Sequence, residues 1–268
     1  MQSLHDHFEV FGIVWVIALL IGAICGYVGT FVVIRRLAFL AETIGHSAIA
    51  GVGLGIFLGV MPAVAVIPFS MVIAVVLTYL SRRKGQDIVG VSAAIYSTSV
   101  GVGIVLLSIS GAGSLFDILN VLFGDLLWLE LDHLILLLVL GLPATAYLAS
   151  QRRSLILMFM NEDLARTGNV NTERLDYFFM VSVAIVIGIS INLVGVILVT
   201  GLLTIPALIS SKLSNSLKQQ LILSPIISTL SAATGVAGAM YFDLPPGACI
   251  VMVAGIVYLC VVMLPNGK

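Results

Sequence analysis

Nine long apolar blocks set the terms on which this chain can fold: 11–34, 37–60, 61–81, 88–109, 131–150, 176–194, 195–211, 219–241 and 246–264. A helix of about 18–20 apolar residues crosses a hydrocarbon core of about 30 Å, and several blocks reach that length. Only 9% of the 268 residues are charged while 60% are hydrophobic. Soluble domains average about 25% and about 45–50%. So little charge cannot cover a water-facing surface, and the mean hydropathy of +1.19 says the same. The reading is an all-α, polytopic transmembrane helical bundle forming one domain over 1–268.

The net charge of −1 offers no basic footprint for nucleic acid. Cys25, Cys249 and Cys260 lie within apolar blocks and form no CxxC pair, against both a disulfide framework and a thiolate metal site. The N-terminal residues lack the basic n-region of a cleaved signal peptide, so the first block is expected to stay as a membrane helix. Phosphate-loop, HExxH and GxSxG patterns are absent from the sequence. The chain is therefore read as a non-enzyme, and any energy source for transport has to sit on another chain.

Topology turns on 176–211, a stretch of 36 residues without a charged break. It reads either as one long span or as two short ones turning near Asn192 and Gly195. With two segments and the N-terminus outside, all 12 Lys and Arg fall on one side, as the positive-inside bias demands. Asp6, Glu9, Asp117, Asp125, Glu130, Asp132 and Asp243 then fall outside or at the outer edge. Two segments are favoured, the second short or re-entrant, with a cytoplasmic C-terminus.

Ser47, Gly51, Gly55 and Gly59 recur every four residues and leave one stripe of the second helix almost bare. Small-residue faces let helices approach closely in lipid. The stripe is read as bundle packing, with the shaping of a transport pathway as the sharper alternative.

In the same block, Glu42 and His46 stand at i and i+4 and share a helix face. Counted from Arg36, His46 lies about 15 Å along the axis, near the bilayer midplane. A charge at that depth costs at least about 2.5–3.5 kcal/mol and persists where it pairs or lines a polar cavity. A carboxylate with an imidazole suits Zn²⁺, Mn²⁺ or Fe²⁺. One pair is too few ligands for a tetrahedral ion, whereas two copies about a twofold axis supply two acids and two imidazoles. The competing readings are an intrahelical Glu–His bond that neutralises both groups, and a proton relay. His5 and His7, near Asp6 and Glu9, could capture metal outside, although a frayed polar terminus accounts for them as well. His133 beside Asp132 reads as interfacial.

These residues together resemble a known family. The run IRRLAFLAETIGHSAIAG matches an Arg-Arg followed by acid-x-x-x-His-x-x-x-x-Gly, and LFGDLLWLELDHL matches a central FG[DN]-L segment. VGVILVTGLLTIPA at 194–207 and YFDLPPGACIVMV match two later patterns in the same order. The chain resembles the permease subunits of bacterial zinc, manganese and iron ABC importers, the family often called ABC-3. The resemblance implies Glu42 and His46 as metal ligands and a multi-pass place in the bacterial plasma (inner) membrane. It also implies a second permease copy or a paralogue, two cytoplasmic ABC ATPase subunits and an extracytoplasmic metal-binding protein. No covalent cofactor is implied, the divalent ion being the substrate. Two departures are Glu at 42 where the family usually has Asp, and Ala41 where it has Gly. A histidine frequent in the fourth helix of zinc importers is absent from AAIYSTS, which leans toward manganese, iron or a broad range.

The cytoplasmic segment 152–175 is expected to couple to the ATPase through a short helix. Asn161 caps it, Glu162 and Asp163 suit its first turn, Leu164 and Ala165 lie within it, Arg166 suits its last turn, and Gly168 takes the C′ position. The rival to an ATP-driven importer is an ion- or proton-coupled secondary metal carrier, which inverted repeats would support; none is evident. A purely structural membrane subunit is the remaining alternative.

Overall fold

The structure, a computed structural model, describes residues 2–83, 87–111, 131–242 and 244–263, without the side chains of 2–11 and of 192. Its helices are α1 (Gln2–Ile34), α2 (Ala38–Phe57), α3 (Pro62–Ser81) and α4 (Ile88–Ile109). Then come α5 (Leu131–Ser150, with a π-helical turn at Leu137–Gly141), α6 (Arg152–Met160) and α7 (Glu162–Thr167). The last four are α8 (Thr172–Val194), α9 (Val196–Leu213), α10 (Leu217–Phe242) and α11 (Pro246–Met263). Among the described residues nine helices are long and apolar enough to cross a membrane, all except α6 and α7. The expectation of an all-α bundle with nine spans holds.

Pairwise contacts fix the helix directions. Arg35, just past α1, meets Asp176 near the start of α8, while Cys25 meets Ser190 farther along at 3.8 Å. Those two helices are therefore antiparallel. Gly26 of α1 lies on Pro225 and Ser228 of α10, and Gly22 on Thr229 and Ala232, so α10 is also antiparallel to α1. Gln220 donates to the Ala207 carbonyl and Ser228 to the Leu202 carbonyl, which sets α9 antiparallel to α10. Hence α9 runs with α1 and against α8. The chain reverses between α8 and α9 on Gly195 alone, whose φ of 81° and ψ of 162° belong to a region that only glycine occupies readily. The stretch 176–211 is two segments.

The same directions gather the ends of α1, α3, α5 and α9 and the starts of α2, α4, α8 and α10 at one face, along with α6 and α7. Tyr147 near the end of α5 confirms it, lying 5.9 Å from Phe178 at the start of α8. Every Lys and Arg among the described residues is at this arginine face.

Helices α1, α2 and α8 form the centre, with about 67–72% of their span windows buried against neighbours. Phe31, Ile44, Phe179 and Ile187 are among the largest side chains wholly enclosed there. Helix α2 is gripped from two sides. A Cβ on Gly51 would lie 3.0 Å from the Val66 Cα, and one on Gly55 would lie 3.1 Å from the Pro62 Cα, so this stripe packs directly on α3. On the other side Gly53 meets the Gly103 carbonyl of α4. Ser47 is buried, its hydroxyl without a hydrogen-bond partner among the described residues. Gly59 lies beyond the helix in the α2–α3 turn, at φ 67° and with open space around it. The stripe thus serves the packing reading, its backbone surface being covered by α3.

Helix α7 forms as its residues dictate. The Asn161 carboxamide oxygen accepts from the N–H groups of Asp163 (3.0 Å) and Leu164 (3.1 Å), two donors the first turn leaves unpaired. Its far end corrects the expectation by one residue. Gly168 has φ −80° and is the C-cap, while Asn169 takes the left-handed C′ position at φ 59°. Val170 N–H to Ala165 O and Asn169 N–H to Arg166 O then complete a Schellman motif. Asparagine tolerates left-handed backbone well enough to replace glycine here.

Candidate metal site and the arginine face

Clamped between α3 and α4, helix α2 presents Glu42 and His46 on its remaining face. Glu42 is exposed in the isolated chain and His46 half-buried. The imidazole Nδ1 lies 3.1 Å from the main-chain carbonyl oxygen of Glu42. A carbonyl only accepts, so Nδ1 carries the proton, and in the neutral ring Nε2 keeps its lone pair. The Glu42 carboxylate makes no hydrogen bond or ion pair among the described residues. The neutralising Glu–His side-chain bond is thus not formed. Second-element contacts hold the imidazole further: the Tyr96 ring of α4 lies 4.9 Å away at 61°, edge to face. Thr200 of α9 abuts Gly45, the residue before His46, where a Cβ would stand 2.9 Å from its methyl.

Among the described residues no third His, Cys, Asp or Glu joins this pair, and no group of three or more of them occurs. The side chains of His5 and His7 lie outside the described residues, as do residues 112–130 and Asp243. His133 is half-buried at the start of α5.

At the arginine face stands an ion network that the sequence reading did not find. The Asp176 carboxylate, 1% exposed, accepts from Arg35 Nη2 at 2.7 Å, from Arg35 Nη1, and from Arg82 Nη1 at 2.8 Å. Arg82 Nη2 donates onward to Glu162 Oε1 at 2.9 Å. The same oxygen accepts from Arg166 Nη2 at 2.8 Å and from the Thr172 hydroxyl at 3.0 Å. Phe159 and Phe179 flank the Arg35 guanidinium at 5.3 and 5.8 Å from their ring centres, close enough for cation–π attraction. Burial, the largest single influence, pushes the Glu162 pKa up. The bonds from Arg166, Thr172 and Arg82 outweigh it and hold the carboxyl below its ordinary value. A lone Asp near the start of an apolar block, with arginine pairs ending two others, was the available sequence signal, but spacing does not say which pairs meet.

The remaining predicted coupling residues take their expected local places. Asp163, Leu164 and Arg166 are exposed on α7, and Ala165 is buried beneath it. Leu164 is 58% and Met160 74% exposed, an apolar pair on a charged face.

With this geometry in view, comparison with known proteins settles the family. The model of the ABC 3 transport family (ABC-3) matches residues 7–265. The chain belongs to the ABC 3 transport family. Among its relatives, the high-affinity zinc uptake system membrane protein ZnuB of Buchnera aphidicola subsp. Schizaphis graminum is 28% identical over 245 residues, 91% of this chain and 94% of that one. The manganese import system permease protein ScaB of Streptococcus gordonii is 26% identical over 262 residues, 97% and 92% of the two chains. The structure of PsaBC from Streptococcus pneumoniae in complex with Fab superposes with a TM-score of 0.84 at 22% identity, covering 98% of this chain and 95% of that one, a shared fold. As an ABC 3 permease with nine apolar spans among its described residues, the chain is a multi-pass protein of the bacterial inner membrane. It is a transport subunit, with ATP hydrolysis on a separate chain.

Proposed function

We propose that this ABC 3 permease carries divalent transition-metal ions into the cytoplasm by alternating access, with Glu42 and His46 as the station at mid-membrane. One observation carries the reading: inside an apolar span, a carboxylate without a partner among the described residues and an imidazole whose Nε2 makes no bond to the main chain share one helix face. A lipid-facing acid would be costly, so that face needs a polar cavity or a second copy against it. Two copies, or this chain with a paralogue, would bring two carboxylates and two imidazoles to a twofold axis, enough for one tetrahedral ion. Manganese and zinc are the favoured cargoes, in keeping with the relatives, and iron fits the same O and N donors.

The arginine face is then cytoplasmic by the positive-inside bias, which puts the C-terminus there. Two ATPase subunits engage 152–175, where α7 projects Leu164 between Asp163 and Arg166, and an extracytoplasmic binding protein delivers the ion on the opposite side. ATP-driven closure tilts the helices and opens the station inward. The secondary-carrier alternative has no comparable support.

The deciding experiment reconstitutes the permease with its ATPase and binding protein in vesicles and measures uptake of Mn²⁺ and Zn²⁺. Glu42→Ala and His46→Ala are each expected to abolish ATP-dependent uptake while the complex still assembles. Wild-type uptake in either variant removes the station, and uptake independent of ATP reinstates the carrier.

A further inference from the structure

We propose that the Arg82–Glu162 pair is a positioning link that makes the cytoplasmic helix α7 and the metal-bearing helix α2 move together. The proposal rests on the importer reading above. Among the described residues this is the one ion pair joining α3 to α7. Beside it opens a cavity of about 400 Å³, lined by Arg35, Ser81, Arg82, Glu162, Arg166 and Asp176 among others. Long side chains therefore bridge α7 to the span ends across a polar space, where a dense apolar interface would otherwise be required.

From Arg82 the connection continues through packed backbone. Arg82 ends α3, and α3 lies against the glycines of α2, Val66 on Gly51 and Pro62 on Gly55. Contacts this close leave little room for α2 and α3 to slide independently. The other branch of the Arg82 guanidinium bonds the buried Asp176, itself held by Arg35, so the guanidinium keeps its orientation toward Glu162 and passes a push on α7 to the span ends. Force on α7 reaches α3 through Glu162, and α2 follows with Glu42 and His46. Glu162 touches no ion in this scheme, and its role is positional.

The test uses the complete complex in vesicles and reads ATP hydrolysed per Mn²⁺ ion moved. Glu162→Gln keeps the size and removes the charge, and Glu162→Arg sets a repelling charge against Arg82 and Arg166. The expected result is about a threefold or greater rise in ATP per ion for Glu162→Gln and a larger rise for Glu162→Arg, with Mn²⁺ binding to the complex unchanged. A merely structural role would lower hydrolysis and uptake in proportion, and that outcome overturns the link. A wild-type ratio in both variants also overturns it. Should Glu162→Arg fail to assemble, Glu162→Gln decides, because a neutral isostere at a side chain 42% exposed leaves the Asp176 bridge intact. A wild-type complex without ATP-dependent uptake would take down the importer reading and this link with it; failure of the variants alone takes down only the link.

Discussion

His46 turns its Nδ1–H onto the main-chain carbonyl of Glu42, one turn back on the same helix, at 3.1 Å. The bond costs the pair nothing it needs for a metal ion: Nε2 and both carboxylate oxygens stay available. It also fixes the ring orientation, as an outer-shell partner does for a ligating histidine. A side-chain Glu–His bond would instead have tied one carboxylate oxygen to the ring.

Tyr96 is the other restraint on that ring. Its edge-to-face contact is of a kind worth about 0.5–1.5 kcal/mol. Tyr96→Ala is expected to weaken Mn²⁺ binding by the assembled complex by about 2–12-fold, and Tyr96→Phe by less than about twofold. Titration of the purified complex with Mn²⁺ checks this, and equal losses in the two variants would assign the effect to the phenol oxygen instead.

Asp176 should matter more to stability than Glu162. Its buried carboxylate compensates two guanidinium groups, and removing one partner of such a cluster costs about 3–5 kcal/mol. Asp176→Asn is expected to lower the melting temperature of the detergent-purified protein markedly. Glu162→Gln, at a half-exposed pair, should cost about 1 kcal/mol or less. Melting curves of both variants in one detergent make the comparison, and a similar drop in both would contradict the burial argument.

Gly29 and Gly101 form a matched contrast. A Cβ on Gly29 would collide with the Leu203 main-chain carbonyl of α9, whereas one on Gly101 meets nothing within 4 Å. Gly29→Ala has to push two packed helices apart, at about 3 kcal/mol or more. Gly101→Ala should leave folded yield unchanged or slightly raised, alanine being the better helix former. Size-exclusion yield after purification reads both.

The Glu162 carboxyl titrates below its ordinary value, so its bonds to Arg82, Arg166 and Thr172 stabilise the folded chain only while it is charged. That contribution is complete above the usual carboxylate pKa of about 4.3 and is lost as pH falls through the lowered folded value. Stability should therefore be flat in this respect near neutrality and decline in the acid range, and the wild type should lose more there than Glu162→Gln. Melting temperatures across about pH 3–7 test the sign: the wild type's excess over Glu162→Gln should be full near neutrality and shrink toward acid, and an excess that grows toward acid instead would reverse it.

Much was legible in the chain because it is written in local terms. Transfer of apolar side chains out of water depends on each block by itself, so 88–109 or 246–264 is a span wherever it lies in the bundle. Charge placement then counted 176–211 as two segments, and the i, i+4 spacing put Glu42 and His46 on one face. Asn161 named its own cap. Other features belong to pairs of helices. Lipid is as apolar as leucine and does not drive helices together, so the register between them comes from shape and from scattered polar contacts. Only the tertiary structure could show that Gly51 and Gly55 are covered by α3, or that Asn169 and not Gly168 takes the left-handed position once Val170 closes onto Ala165. The joining of Arg35 and Arg82 at Asp176, with Glu162 held by Arg82, likewise needed four helix ends brought within a few ångströms, and no spacing along one chain specifies that meeting.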